Sequence, residues 1–181
     1  PHGNGPAYTE LAAALGRQCA ASGVGVVFGG GCVGLMGELA NATLAGGGSI
    51  TGVIPEHLRQ REVAHAALTE LVVVDSMHAR KRVMAERGDA FCVLPGGLGS
   101  LDEAIEIITW KQLGLHDKPI VLLDHAGFWQ PFLDMLAHQT ACGFVDAAHR
   151  ELFDVVNDID GVFAAIAHHP APSATFHSAR M

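Results

Sequence analysis

The sequence predicts an α/β fold in which a parallel sheet is doubly wound, with helices on both faces. Short apolar runs alternate with segments of helical periodicity along most of the 181 residues, a pattern typical of parallel sheets. Glycine-rich loops at 29–31 and 96–99 directly follow two of these runs. In a parallel sheet both loops lie at the edge where α/β proteins bind ligands. We therefore expect a single domain over 1–168 and a C-terminal tail over 169–181.

The elements of the first half are assigned from apolar spacing and from glycine and proline positions. They are a loop at 1–6, a helix at 7–22, a strand at 24–28, a helix at 34–45, a strand at 49–54, a polar and partly helical connection at 56–67, a strand at 71–75 and a helix at 77–87. Leu11, Leu15 and Cys19 share one helical face, and Gly23 is a typical helix stop. Because chains of this type normally open with a strand, we expect a first strand to precede Pro1.

The elements of the second half continue the same alternation. They are a strand at 90–94, a helix at 101–113, a strand at 120–124, a helix at 128–140, a strand at 153–156 and a helix at 159–168. Pro95 ends the first of these strands, because proline cannot donate to a sheet ladder.

The stretch 90–103 joins an apolar run, a glycine loop and a helix start. Gly96, Gly97 and Gly99 are expected to allow positive φ and a close approach to a ligand, and Ser100 is expected to be the helix N-cap. Such a loop offers free N–H groups and a helix dipole to an anion, for which the phosphate of a nucleotide is the best candidate. The S-x-x-E spacing of Ser100 and Glu103 also fits a capping box, in which Glu103 has no chemical role.

Charged residues surround this predicted phosphate loop. Arg80 and Lys81 fall in the first turn of the helix at 77–87 and could reach the same sheet edge, although helix-surface cations are by default solvated or ion-paired. Asp102, Glu103 and Glu106 lie on the first turns of the next helix. A carboxylate beside a sugar phosphate suits cleavage at an anomeric carbon, where positive charge develops.

Composition excludes several classes of protein. The formal net charge of −8 argues against general nucleic-acid binding, and no apolar run reaches the length of a membrane helix. The four cysteines form no C-x-x-C pair, which favours reduced thiols and a cytoplasmic location. Metal binding is a minor possibility, because the eleven histidines show no metal-binding helix spacing.

Other phosphate-binding and cofactor motifs fit less well. Gly29, Gly31 and Gly34 match a dinucleotide fingerprint, but no acidic residue ends the following strand. No P-loop sequence occurs. A pyridoxal enzyme needs a Schiff-base lysine, and Lys111 and Lys118 lie away from the loop edge.

The segment 95–103 resembles the P-G-G-x-G-T-x-x-E motif of the Lonely Guy (LOG) family. Family-like segments also occur at 28–37, 52–55, 61–65, 75–81 and 109–119, and together they cover most of residues 6–155 in the right order. Members of this family are cytokinin-activating nucleoside 5′-monophosphate phosphoribohydrolases, often mislabelled lysine decarboxylases. The resemblance implies a Rossmann-like fold, a homodimer, and release of a free base and ribose 5-phosphate from N6-modified adenosine monophosphates, without a metal or redox cofactor.

The resemblance also assigns residues. Arg80 and Glu103 correspond to the catalytic pair of the family. The positions expected to bind phosphate and substrate are Gly30, Gly31, Glu62, Lys81, Gly96, Gly97, Leu98, Gly99, Ser100, Leu101, Asp102 and Thr109. Ser100 stands where the family usually has threonine, and Cys32 replaces a more often polar residue.

Two alternatives stay open. A non-catalytic nucleotide or pterin-phosphate carrier of the same fold would bind its ligand without turnover. An amino-acid decarboxylase would show a pyridoxal absorption band, and we expect none.

Overall fold

In a computed structural model the chain forms parallel strands flanked by helices, and the structure describes residues 1–59, 65 and 67–170. The helices in this described part are α1 (Ala7–Ala21), α2 (Leu35–Ala45), α3 (Met77–Arg87), α4 (Leu98–Gln112), α5 (Gln130–Ala141) and α6 (Ile159–His168). The strands are β1 (Val26–Phe28), β2 (Ile50–Pro55), β3 (Glu70–Val74), β4 (Phe91–Val93), β5 (Ile120–Leu123) and β6 (Asp154–Val156). The chain divides after Gly88 into two compact units.

The first unit contains a three-stranded parallel sheet in the order β1-β2-β3. The central strand β2 is buried along nearly its whole length, as expected for a parallel strand covered on both faces. Phe28, Ala40 and Ile50 form a core cluster between this sheet and α2. Strands β1 and β2 therefore hold the glycine loop that follows Phe28 in a fixed position.

The second unit contains a parallel sheet in the order β4-β5-β6. All four residues of β5 are buried. The main core cluster consists of Val93, Ala104, Ile120, Leu122, Trp129, Phe132 and Phe153. Because Ala104 belongs to this cluster, α4 is anchored at the end of its second turn, directly beside Glu103.

The predicted α/β class with parallel strands is confirmed. The bounds of α3 and α6 match the prediction, and the other strands and helices except α4 differ by about one or two residues at their ends. The connection after β2 begins with a 3-10 turn at Glu56–Leu58, and most of its remainder lies outside the described residues, as does 171–181. The domain extent of 1–168 stays a prediction. Within the described part, no helix has the length and apolar character needed to cross a membrane.

Candidate active site

Helix α4 begins three residues earlier than the sequence predicts. It starts at Leu98, with Gly97 as its N-cap, and no side chain caps it. The expectation that Ser100 is the N-cap is therefore wrong, and so is the capping box of Ser100 and Glu103. Glycine is itself an accepted N-cap residue. The residue type of Ser100 suggests a later start, but Gly97 fills the N-cap role three residues earlier.

The loop ahead of α4 and the first turn of the helix leave space around Gly97 and Gly99, and this space does not depend on a positive φ angle. Gly96, Gly97 and Gly99 can each allow positive φ, but none of the three adopts it. A Cβ added at Gly97 or Gly99 would meet no described atom within 4 Å. The first N–H groups of a helix have no intrahelical acceptor. Together these features leave the start of α4 accessible to an anion.

The Ser100 side chain packs against Gly96 of the loop and does not cap α4. A Cβ on Gly96 would overlap the Ser100 hydroxyl and lie 2.6 Å from its Cβ. Gly96 is therefore required for the close approach of this side chain.

The acidic side chains of α4 lie one turn beyond this open start. Glu103 is half-buried and Asp102 is exposed. Residues three or four apart share a helix face, so Glu103 lies on the same side as Gly99 and Ser100. Thr109 is exposed two turns further on, and its hydroxyl donates to the carbonyl of Ile105 at 2.8 Å. The second unit thus brings the predicted loop residues and Glu103 together, with Thr109 more distant along the helix.

Arg80 occupies a defined position in the first unit. Its side chain is buried, with 5% of the residue exposed, and its Nη2 donates to the carbonyl oxygen of Gly29 at 2.7 Å. Its Nη1 lies 3.9 Å from the sulfur of Met77. Ser76 caps α3 by accepting from the Ala79 N–H at 3.1 Å. The default interpretation of Arg80 as a solvated surface cation is therefore wrong.

The remaining predicted residues of the first unit lie near Arg80 in sequence or around the glycine loop. Lys81 is partly buried on α3. Gly30 has φ of +78°, and its carbonyl accepts the His65 N–H at 3.1 Å. Gly31 is buried. Glu62 lies outside the described residues.

One structural histidine supports the far end of α4. His116 is 2% exposed and accepts the Lys118 N–H at Nδ1, at 3.2 Å. Its proton is therefore on Nε2, which lies 2.9 Å from the carbonyl oxygen of Ile107. Burial lowers the pKa of His116, since the site offers little solvation to a charged ring. His116 lies in the family-like segment 109–119, but no local pattern there indicates its contact with Ile107.

The sequence places Gly29 in a glycine loop and in a dinucleotide-like pattern, but it does not indicate that the Gly29 carbonyl accepts from Arg80. The available signal was its position as the first of three glycines after a strand. Among the described residues, no group of three or more His, Cys, Asp or Glu side chains is placed to hold a metal ion.

Comparisons with known proteins agree with the resemblance. A family model described as possible lysine decarboxylase matches residues 36–166. A cytokinin riboside 5′-monophosphate phosphoribohydrolase of Rhodococcoides fascians is 49% identical over 165 residues, which are 91% of this chain and 83% of that protein. A probable enzyme of the same name from Oryza sativa subsp. japonica is 43% identical over 150 residues, which are 83% of this chain and 67% of that protein.

Solved structures share the fold at lower identity. The molybdenum cofactor carrier protein of Chlamydomonas reinhardtii is 24% identical with a TM-score of 0.66, over 90% of this chain and 88% of that one. This likeness supports the Rossmann-like fold alone. The family match and the identities above show that the chain belongs to the Lonely Guy (LOG) family.

Proposed function

We propose that the protein hydrolyses the N-glycosidic bond of adenosine-type nucleoside 5′-monophosphates, with N6-modified bases such as cytokinins as the preferred substrates. Water adds to C1′ as the bond to the base breaks, and the products are the free base and ribose 5-phosphate. The names of relatives that are 43–49% identical support this reaction.

The observation that carries the proposal is the start of α4 at Leu98. Because Gly97 is the N-cap and no side chain caps the helix, its first N–H groups can donate hydrogen bonds to the 5′-phosphate. Glu103 lies one turn along, on the same face as Ser100, where it can stabilise a ribosyl cation or activate water.

Arg80 is the proposed second catalytic residue. A guanidinium has five N–H donors, so it can hold protein acceptors and an anion at once. Its fixed position on Gly29 avoids the entropic cost of ordering a long side chain when substrate binds. We propose that it orients the phosphate and sugar for attack at C1′, and that Lys81 and Glu62 also bind substrate.

We further propose a cytoplasmic homodimer. Leu98 and Ile105, seven residues apart on one face of α4, are 86% and 43% exposed in the single chain, and such residues favour a partner surface. None of the four cysteines forms a disulfide in the described part of the chain, which fits a reducing compartment.

The direct test uses three substrates: AMP, N6-isopentenyladenosine 5′-monophosphate and the corresponding nucleoside without phosphate. We expect equal amounts of base and ribose 5-phosphate from the monophosphates, faster with the N6-modified one. Turnover of the nucleoside should be at least a hundredfold slower, because it leaves the start of α4 unoccupied. Binding of the monophosphates without release of base would contradict the proposed reaction and favour a carrier.

A further inference from the structure

The first residue of the triple-glycine loop makes a direct contact with Arg80. The Gly29 carbonyl accepts from Nη2 of Arg80 at 2.7 Å, between residues 51 apart in sequence. Both residues are buried. A buried charge must be hydrogen-bonded to be tolerated, and the carbonyl of Gly29 is one of the groups that makes this burial possible.

Only glycine fits at this position while Arg80 lies where it does. A Cβ on residue 29 would overlap Nη2 of Arg80 and lie 2.9 Å from its Cζ. The φ angle of Gly29 is not in the positive range, so its backbone would accept alanine without strain. The requirement for glycine therefore comes from the guanidinium and not from the turn.

The neighbouring glycine is constrained differently. Gly30 has φ of +78°, and a Cβ there would contact β2 at 3.4 Å. Its carbonyl binds the His65 N–H. Glycine is thus needed at position 30 because of the positive φ angle there, whereas glycine is needed at position 29 to leave room for the Arg80 side chain of α3.

We propose that Gly29 is a positioning residue for Arg80: its missing side chain and its carbonyl together hold the guanidinium in the orientation used for catalysis. This inference rests on the proposed function, because it gives Arg80 a catalytic role. A displacement of about 1 Å in a catalytic group can cost about a hundredfold in rate.

The first experiment compares Gly29→Ala with Gly25→Ala. Gly25 lies just before β1, where a Cβ would lie 3.1 Å from the rotatable hydroxyl of Ser49, so it provides a matched control at the other end of the same strand. We expect Gly29→Ala to fold, because the overlapped atoms are the far end of a flexible side chain, and to lose about a hundredfold in kcat. Gly25→Ala should keep wild-type kcat. Wild-type kcat in Gly29→Ala would overturn the inference.

The second experiment is a double-mutant cycle with Arg80→Met. If Gly29 acts through Arg80, Gly29→Ala should add no further loss of kcat once the guanidinium is gone. The same cycle is measured on thermal unfolding by circular dichroism, where the Gly29→Ala penalty should shrink in the Arg80→Met background. Equal penalties in both backgrounds would mean that Gly29 is merely structural and would overturn the inference.

The kcat cycle and the unfolding cycle allow a failure of the inference to be distinguished from a failure of the proposed function. Full activity in Arg80→Met would refute the catalytic role of Arg80, and with it the positioning role of Gly29 in the reaction. In that case the unfolding cycle still reports whether Gly29 holds the guanidinium. If Gly29→Ala does not fold, the double variant decides: it should recover folding, and its failure to do so would contradict the inference.

Discussion

Replacing His116 with phenylalanine tests how the far end of α4 is held. The substitution keeps a ring of similar size against Phe91, whose ring centroid lies 5.3 Å from that of His116. It removes the Nδ1 acceptor of the Lys118 N–H and the Nε2 donor to Ile107. Loss of a partner for a buried N–H costs about 1–3 kcal/mol. We therefore expect a loss of about 2 kcal/mol in the free energy of unfolding at pH 7.5.

The same contact predicts how the penalty depends on pH. The folded pKa of His116 is lowered by burial, so below about pH 6.5, the ordinary histidine pKa, the unfolded chain binds a proton that the folded ring does not. The stabilisation by His116 is therefore complete above about pH 6.5 and is lost as the pH falls. The difference in unfolding free energy between wild type and His116→Phe should therefore be smaller at pH 5.5 than at pH 7.5.

The assay is urea unfolding followed by tryptophan fluorescence. Both tryptophans, Trp110 and Trp129, belong to the second unit, as His116 does, so the signal reports the part of the chain that is perturbed. His138→Phe, at an exposed histidine of α5, is the control and should change the free energy of unfolding at pH 7.5 by less than about 0.5 kcal/mol. A penalty for His116→Phe that is the same at both pH values would refute the assignment of a neutral, buried ring.

Two further pairs of variants test the packing of the second unit. Leu122→Ala empties a fully buried position in β5 and should lower the free energy of unfolding in urea by about 3 kcal/mol. Leu113→Ala, at a residue 65% exposed, should lower it by less than about 0.5 kcal/mol. Equal losses in the two variants would contradict the core described here. Gly96→Ala should destabilise by about 1–3 kcal/mol, because its Cβ overlaps Ser100. Gly99→Ala, in the first turn of α4, should stabilise by up to about 1 kcal/mol, because a Cβ there lies in open space and the unfolded chain loses entropy. Stabilisation by both glycine substitutions would contradict the close approach of Ser100 to the loop.

Local patterns were sufficient for most of the fold. The bounds of α3 follow from Ser76, whose hydroxyl caps the helix, and those of α6 from Asp158, which accepts the Gly161 N–H at 2.7 Å. A continuous apolar run identifies β5, because central parallel strands are buried on both faces. These signals lie within a few residues of the element that they define.

The site needed contacts that no local pattern carries. The buried position of Arg80 depends on its hydrogen bond to Gly29. Because Gly29 lies 51 residues away in sequence, the residues around Arg80 do not indicate this contact. Ser100 was assigned as an N-cap from its residue type, but Gly97 can fill the same role and places Leu98 in solvent. The phosphate loop, Arg80 and Glu103 could nevertheless be proposed from the sequence, because the order and spacing of the motifs resemble those of a known family.

The central claim is that the start of α4 binds a monophosphate while Glu103 acts at C1′ of the sugar. The most direct measurement compares base release from N6-isopentenyladenosine 5′-monophosphate by wild type, Glu103→Gln and Glu10→Gln, the last an exposed glutamate in the first turn of α1. We predict that Glu103→Gln binds the nucleotide but loses about 10²–10⁴-fold in kcat, while Glu10→Gln matches wild type. Wild-type turnover by Glu103→Gln would contradict the account.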